Sequence, residues 1–87
     1  FSVSAMSAGA GTRITYEIAS EENVTITVYD ALGRAVRGLV RRTMTPGRYT
    51  TFWDGRDESG YEVPAGSYLY ELRAGAVRRT NHMIVVK

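Results

Sequence analysis

Apolar and polar residues alternate one for one along several short segments, and this period of two constrains the fold more than any other feature. In NVTITVYD, Val24, Ile26 and Val28 alternate with two threonines and Tyr29. TRITYEIA repeats the pattern, with isoleucine, tyrosine and isoleucine on one side. Because β-branched residues alternate here with polar ones, we predict strands that bury a single face.

Two further segments place aromatic residues on one side of an extended chain. RYTTFWDG puts Tyr49 and Trp53 on the same face, and SYLYELRAG puts Tyr68, Tyr70 and Leu72 on the same face. A tryptophan at the centre of a small β-sandwich is more often part of the core than a platform for a ligand. We therefore predict that Trp53 and the two later tyrosines are buried. A stacking platform for a sugar ring is the alternative use of these aromatics.

The two ends of the chain predict two more strands. FSVSAMS alternates apolar residues with serine, and VRRTNHMIVVK ends in an apolar run over residues 83–86. An unbroken apolar run is typical of a strand that is covered on both faces. SEEN, over residues 20–23, predicts a hairpin turn between the two strands that it separates.

ALGRAVRGLVRR, over residues 31–42, is compatible with two structures. Its apolar residues recur at i, i+4, i+7 and i+8 with arginines opposite, which predicts a short basic amphipathic helix. Gly33 and Gly38 count against the helix, because each costs about 1 kcal/mol relative to alanine in a helix interior. Asp30 and Gly33 also occupy the first and fourth positions of a type I turn. We favour a hairpin turn followed by a bulged strand, with Gly38 at the bulge.

Turn signals separate these segments, and no long helical pattern interrupts them. Pro46-Gly47 predicts a type II turn, and Pro64 and Gly66 mark another turn. Short strands at this spacing predict an all-β fold, a small antiparallel immunoglobulin-like β-sandwich of about seven strands. The chain of 87 residues suffices for a single domain of this kind, over 1–87.

Composition excludes several classes of function. The apolar runs are far too short for a membrane span. The net charge is only +2, and the interleaved aromatic and basic residues of an RNA-binding surface are missing. With one histidine, His82, and no cysteine, neither a zinc site nor a cysteine nucleophile is expected. We predict no enzyme activity, no cofactor and no nucleic-acid partner, and we place His82 on a strand surface.

The stretch WDGRDESG brings together three carboxylates, at Asp54, Asp57 and Glu58. Calcium needs several oxygen ligands that converge on one point, but the spacing is not that of an EF-hand, and an arginine lies among the acids. A turn explains the same residues, because aspartates accept hydrogen bonds from nearby backbone N–H groups and glycines adopt positive φ. We predict a structural turn, with Gly55 and Gly60 at positive φ.

From residue 12 onward, the chain resembles a known family. NVTITVYDALGRAVRGLV, PGRYTTFWDGRDESGYEVPAGSYLYELRAG and MIVVK are similar to the FlgD-like immunoglobulin-like domain. The resemblance is to the variety that overlaps the type IX secretion sorting domain, and WDGRDESGYEVPAGSYLY is its most specific part. The structural signature in that part consists of Trp53, Asp54, Gly55, Asp57, Gly60, Pro64, Gly66, Tyr68 and Tyr70.

The resemblance implies a non-catalytic structural or sorting module at the C-terminus of a longer secreted or cell-surface bacterial protein. Its implied partners are the other domains of the parent protein or the secretion machinery. A carbohydrate-binding accessory module that recognises polysaccharide is one alternative. The other is the Ig-like domain of a flagellar hook-capping protein, which predicts further chain after Lys87, whereas a C-terminal module predicts an end there.

A small set of polar and aromatic side chains provides candidates for contact with a partner. The arginines would dock an acidic surface or an envelope glycan, and the tyrosines fall on outward or loop positions. The candidates are Arg37, Arg41, Arg42, Tyr29 and Tyr61, with Arg78 and Arg79 as further members of the basic group.

Overall fold

The described part of the chain forms seven β-strands in two sheets. The structure, a computed structural model, describes residues 2–8 and 11–86, with side chains from residue 11 onward. Within this part of the chain, no helix is long and apolar enough to cross a membrane. The strands are β1 (Ser2–Ala8), β2 (Gly11–Ile18), β3 (Glu22–Asp30), β4 (Ala35–Met44), β5 (Gly47–Trp53), β6 (Gly66–Ala74) and β7 (Val77–Val85).

The strands form a sandwich of two antiparallel sheets, in the orders β1-β2-β5 and β4-β3-β6-β7. This arrangement confirms the predicted all-β, immunoglobulin-like fold. Ser2 pairs with Glu17 near the end of β2, and Val85 pairs with Gly66 at the start of β6. The first strand therefore starts at one end of the sandwich, and the last strand finishes at the opposite end.

Two of the predicted turns are instead crossings between the sheets. β2 and β3 belong to different sheets, so residues 19–21 carry the chain across the sandwich, and the predicted hairpin at 20–23 is wrong. β4 and β5 also belong to different sheets. Gly47, the first residue of β5, has φ +154°, far from the roughly +80° of a type II turn. A crossing between sheets needs an extended path rather than a tight reversal. For this reason neither the hairpin nor the type II turn forms at these two places.

The core lies between the sheets and follows the alternation in the sequence. In β3 the residues Val24, Ile26 and Val28 are fully buried, as predicted, and their neighbours along the strand are more exposed. The same alternation holds in β2 and β6. The largest fully buried side chains among the described residues are Trp53, Tyr16, Tyr70, Ile14, Ile26, Leu72, Val24 and Val28.

The turn before β4 has the predicted type I hydrogen bond, from the Gly33 N–H to the Asp30 carbonyl at 3.0 Å. The Asp30 carboxylate adds three more bonds. Its Oδ1 accepts from the Leu32 N–H and the Arg34 N–H, both at 3.0 Å, and its Oδ2 accepts from the Arg34 Nε at 2.9 Å. The Asp30 side chain therefore stabilises the turn through three hydrogen bonds.

We expect the Asp30 carboxylate to make stability pH-dependent. Hydrogen bonds, first from the Arg34 N–H, hold the pKa of Asp30 below its ordinary value. A depressed folded-state pKa gives stabilisation that is present above the unfolded-state pKa, about 3.9, and is lost as pH falls through the folded pKa. The free energy of unfolding, from urea titrations, should therefore fall below about pH 4, and Asp30→Asn should reduce this fall. An unchanged pH dependence in the variant would contradict the assignment.

The segment after this turn is a bulged strand, as favoured from the sequence, and the alternative of a basic helix is wrong. The register between β3 and β4 shifts twice, so Leu39 and Val36 have no directly opposite residue on β3. Gly38 lies between them and pairs with Thr27. The two bulges interrupt the period of two in β4, and this interruption produced the helix-like spacing.

The apolar end of β7 is covered on one face only, so the prediction of a strand buried on both faces is wrong. Met83 is buried, but Ile84 is 61% exposed and Val86 is 70% exposed. The reason is that β7 is the last strand of its sheet, whose outer face has no covering layer in the described part of the chain. His82 is exposed on this strand, as predicted.

Candidate functional site

The aspartates of the acidic loop, residues 54–63, organise its backbone. The Asp54 Oδ1 accepts a hydrogen bond from the Arg56 N–H at 3.0 Å. The Asp57 Oδ1 accepts from the Ser59 N–H at 2.9 Å and from the Tyr61 N–H at 3.0 Å. Short side chains that bond the backbone two and four residues ahead are a feature of tight turns. Both aspartates therefore make backbone hydrogen bonds of the kind that a structural turn requires.

The glycines of the same loop adopt the predicted backbone conformations. Gly55 has φ +78° and Gly60 has φ +89°, a region that other residues enter only with strain. The Gly55 carbonyl accepts from the Val63 N–H at 2.9 Å, which closes the loop at its base. In residues 11–86, no group of three or more acidic or histidine side chains is arranged to hold a metal ion.

Trp53 and its aromatic neighbours form core, as predicted. Trp53 is fully buried, and its ring meets that of Tyr68 edge-on, with centroids 5.7 Å apart. Its Nε1 donates to the Arg56 carbonyl at 2.9 Å, so the indole also anchors the acidic loop. Tyr70 is 1% exposed. These three rings are closed to solvent, so they provide no stacking surface for a sugar.

Two tyrosines near the starts of strands bond back to the chain four residues earlier. The Tyr68 hydroxyl donates to the Pro64 carbonyl at 2.7 Å, and the Tyr49 hydroxyl donates to the Thr45 carbonyl at 2.6 Å. The first resembles the tyrosine corner of immunoglobulin domains. Burial raises the pKa of Tyr68, with a further contribution from the Asp30 carboxylate, so the phenol remains a hydrogen-bond donor. Pro64 and Tyr68 are therefore structural.

The acidic loop also closes part of an exposed sheet edge. The Glu58 N–H donates to the Val36 carbonyl at 3.1 Å, and the Glu58 Oε1 accepts from the Gly38 N–H at 2.9 Å. Both backbone partners lie on β4, where bulges have disturbed the ladder. Unpaired edge groups are a common site of unwanted strand pairing. Glu58 satisfies two of them and gives the third carboxylate of the loop a structural role that the sequence did not reveal.

Arg37, predicted as a partner contact, lies beside this closure and forms bonds within the domain. Its Nη1 lies 3.3 Å from the Asp54 Oδ1 and donates to the Arg56 carbonyl at 3.1 Å. Its Nε lies 3.6 Å from the Glu58 Oε1. The side chain is only 31% exposed. Nearby carboxylates and a carbonyl thus lie close to both its Nη1 and its Nε.

An open groove beside the loop is lined by several polar residues, including Asp30, Asp57 and Glu58. Each of these carboxylates already accepts backbone hydrogen bonds. The carboxylates of the groove are therefore parts of turns and of the edge closure. This arrangement gives no support to a pair of carboxylates acting in acid–base chemistry.

We expect Glu58→Ala to lower the free energy of unfolding by about 0.5–1.5 kcal/mol, because the Gly38 N–H loses its acceptor. Hydrogen exchange at the Gly38 amide should accelerate, while exchange in β6 should change only by the global loss of stability. Glu21→Ala is the matched control, since Glu21 is exposed and lies outside the loop. Equal effects of the two substitutions would contradict the edge closure.

The other predicted contact residues are dispersed. Tyr61 is 73% exposed, whereas Tyr29 is half-buried. Arg41 pairs with Thr25 and Arg42 with Val24, so the two arginines project from opposite faces of β4. Arg78 and Arg79 lie on β7, at the far edge of the same sheet from β4. The predicted basic group is therefore not one patch.

The register instead places a different set of arginines in one row across the outer face of the four-stranded sheet. Arg41 is opposite Thr25, Thr25 is opposite Arg73, and Arg73 is opposite Arg78. Glu71 lies beside this row, 2.9 Å from the Arg73 Nε and 3.7 Å from the Arg78 Nε. The sequence did not indicate Arg73, because cross-strand neighbours are visible only once the register is known.

The two-sheet topology, the buried Trp53 and the tyrosine corner define an immunoglobulin-like β-sandwich module whose acidic loop is part of the scaffold. Residues 2–76 match the FlgD Ig-like domain, and the chain belongs to that family. This confirms the FlgD-type part of the resemblance. The type IX sorting role stays a prediction.

Curated proteins and a solved structure agree with this family. The chain is 43% identical over 53 residues to the basal-body rod modification protein FlgD of Salmonella typhimurium, and equally to that of Salmonella typhi. The matched region is 61% of this chain but only 23% of either relative. The crystal structure of FlgD from P. aeruginosa matches 85% of this chain and 58% of its own, with a TM-score of 0.65 and 25% identity.

Proposed function

We propose that this chain is the Ig-like structural module of a FlgD-type protein that takes part in building the flagellar basal body and hook. The module is non-catalytic and acts as a rigid body that presents its edges and loops to neighbouring proteins. Of the functions considered from the sequence, this is the hook-capping alternative rather than the C-terminal sorting module.

The match of residues 2–76 to the FlgD Ig-like domain is the observation that carries the proposal. The geometry supports it, because the signature residues with described contacts serve the scaffold. Trp53 anchors the acidic loop through the Arg56 carbonyl, and Asp54 and Asp57 hold its turns. A scaffold of this kind loses little conformational entropy when it binds, which suits a part in an assembly.

Deletion of residues 2–86 from the parent gene, in the bacterium that encodes it, tests the proposal. We expect loss of hooks by electron microscopy and loss of swimming in soft agar. Trp53→Ala should reproduce the deletion, and Phe52→Ala, at an exposed neighbouring position, should not. Normal hooks in cells that contain the truncated parent protein, shown by immunoblotting, would refute the proposal.

A role as an export signal of a secreted or cell-surface protein is the second proposal, and its support is the similarity of the signature to sorting domains. It is tested by fusing residues 1–87 to a reporter in a host with type IX machinery. Release of the reporter to the surface or medium is expected under this proposal. Retention of the fusion in the periplasm would count against it.

A further inference from the structure

A second groove lies on the flank of the sandwich where the two sheets approach through β4 and β5. Residues 39–42 of β4 and 49–51 of β5 form its walls, and Tyr16 of β2 also lines it. Leu39, Val40 and Tyr49 are half-buried, so the walls contain partly covered apolar surface. We call this feature the β4–β5 groove. It is separate from the acidic loop, which covers only the beginning of β4.

The walls of the β4–β5 groove are edge strands. β5 is the last strand of the three-stranded sheet, and β4 is the last strand of the four-stranded sheet. Glu58 closes the β4 edge at Val36 and Gly38. In the part of the chain that the structure describes, the backbone of β5 pairs only with β2.

Beyond Arg48, which pairs with Glu17 of β2, β5 also lacks the features that discourage strand pairing. From Tyr49 to Trp53 it contains no charged residue and no proline. Edge strands are usually protected by charges, proline or a covering loop. On β7, at the edge of the other sheet, charged residues are present at Arg78 and Arg79. The edge of β5 is therefore ready to accept another strand, which is a recurrent way of binding extended peptides.

The charge at this groove specifies the partner. Arg41 and Arg42 are both exposed, and neither forms an ion pair with a carboxylate of residues 11–86. The tyrosine hydroxyls are occupied within the domain, since Tyr16 donates to the Met44 Sδ at 3.5 Å and Tyr49 to a backbone carbonyl. Polar recognition at this groove thus depends on two guanidinium groups, which favour carboxylates, and on the free backbone of β5.

We propose, independently of the flagellar assignment, that the β4–β5 groove binds an extended acidic segment of a partner protein. The segment adds as a strand to the free edge of β5 and directs alternate apolar side chains toward Val40 and Tyr49. Its carboxylates project to the other side and pair with Arg41, which lies on the outer face of β4, while Arg42, on the same face as Val40, adds positive charge beside the groove. Main-chain hydrogen bonds supply much of the affinity, and the arginines select acidic sequences.

Isothermal titration of the 87-residue chain with the end-blocked peptide Glu-Val-Glu-Val-Thr-Val-Glu-Val tests this. We expect saturable binding that weakens by about tenfold in Arg41→Glu, which reverses the paired charge, and by a smaller factor in Arg42→Glu. Arg13→Glu makes the same charge change at an exposed residue of β2 and should leave binding unchanged. Circular dichroism of each variant checks that the fold is retained.

Two altered peptides separate the contribution of the charges from that of the main-chain hydrogen bonds. The peptide with lysine in place of glutamate should not bind, and the peptide N-methylated at alternate residues should bind at least about tenfold more weakly, because it lacks donors for the edge. Absence of binding of the glutamate peptide would overturn the proposal. Equal effects of Arg41→Glu and Arg13→Glu would also overturn it, as would full binding of the N-methylated peptide. Sedimentation showing that a second copy occupies the edge would also overturn it.

Discussion

Trp53→Ala is expected to remove most of the stability of the domain, so that a substantial unfolded fraction is present at room temperature. Truncating a large buried aromatic costs about 3–5 kcal/mol, which is most of the stability of a small domain, roughly 5 kcal/mol at the low end. Trp53 is fully buried and packs against Tyr68, and its Nε1 satisfies the Arg56 carbonyl, so the variant loses core volume and a loop anchor together. Circular dichroism and urea unfolding measure the effect.

Phe52→Ala is the matched control for that experiment. Phe52 is the preceding residue, lies on the opposite face of β5 and is 61% exposed. Its removal should cost no more than about 1 kcal/mol. If the two variants had equal stability, Trp53 would not be the centre of the core.

Leu72→Ala is expected to destabilise the domain by about 2–5 kcal/mol and to lower Tm by at least roughly 10 °C. Leu72 is fully buried in β6, an interior strand of the four-stranded sheet, so the cavity that it leaves has rigid walls on several sides. Thermal unfolding followed by circular dichroism gives the Tm, and urea titration gives the free energy.

Leu69→Ala tests whether the inward face of β6 has been assigned correctly. Leu69 has the same side chain on the same strand but is half-buried on the opposite face, and its truncation should cost about 1 kcal/mol or less. A larger loss for Leu69→Ala than for Leu72→Ala would mean that the strand presents its other face to the core.

The strands and the inward faces were predictable because they depend on local alternation. Burial of Val24, Ile26 and Val28, and of Trp53 with Tyr68 and Tyr70, follows directly from the period of two. The turn at Asp30 was also predictable, since the bonds that make it are local. Interactions between residues that are close in the sequence are therefore the ones that a single sequence predicts best.

The sheet to which a strand belongs was not predictable. Residues 19–21 have the composition of a hairpin turn, yet the chain crosses to the other sheet there, because β2 finds its partners in β1 and β5. Such pairings depend on residues far away in the sequence. The same reason explains why the roles of Arg37 and Glu58 were missed, since each acts on backbone or side chains about twenty residues distant.

The placement of the first and last strands has a mechanical consequence. β1 starts at one end of the sandwich and β7 finishes at the other, and each is paired along its length with one neighbour. A pull applied between residues 2 and 85 therefore acts parallel to both strands. Interstrand hydrogen bonds lie across that direction, so they resist as a group in shear rather than opening one after another. We expect the sandwich to resist such a pull more strongly than a pull applied across its strands.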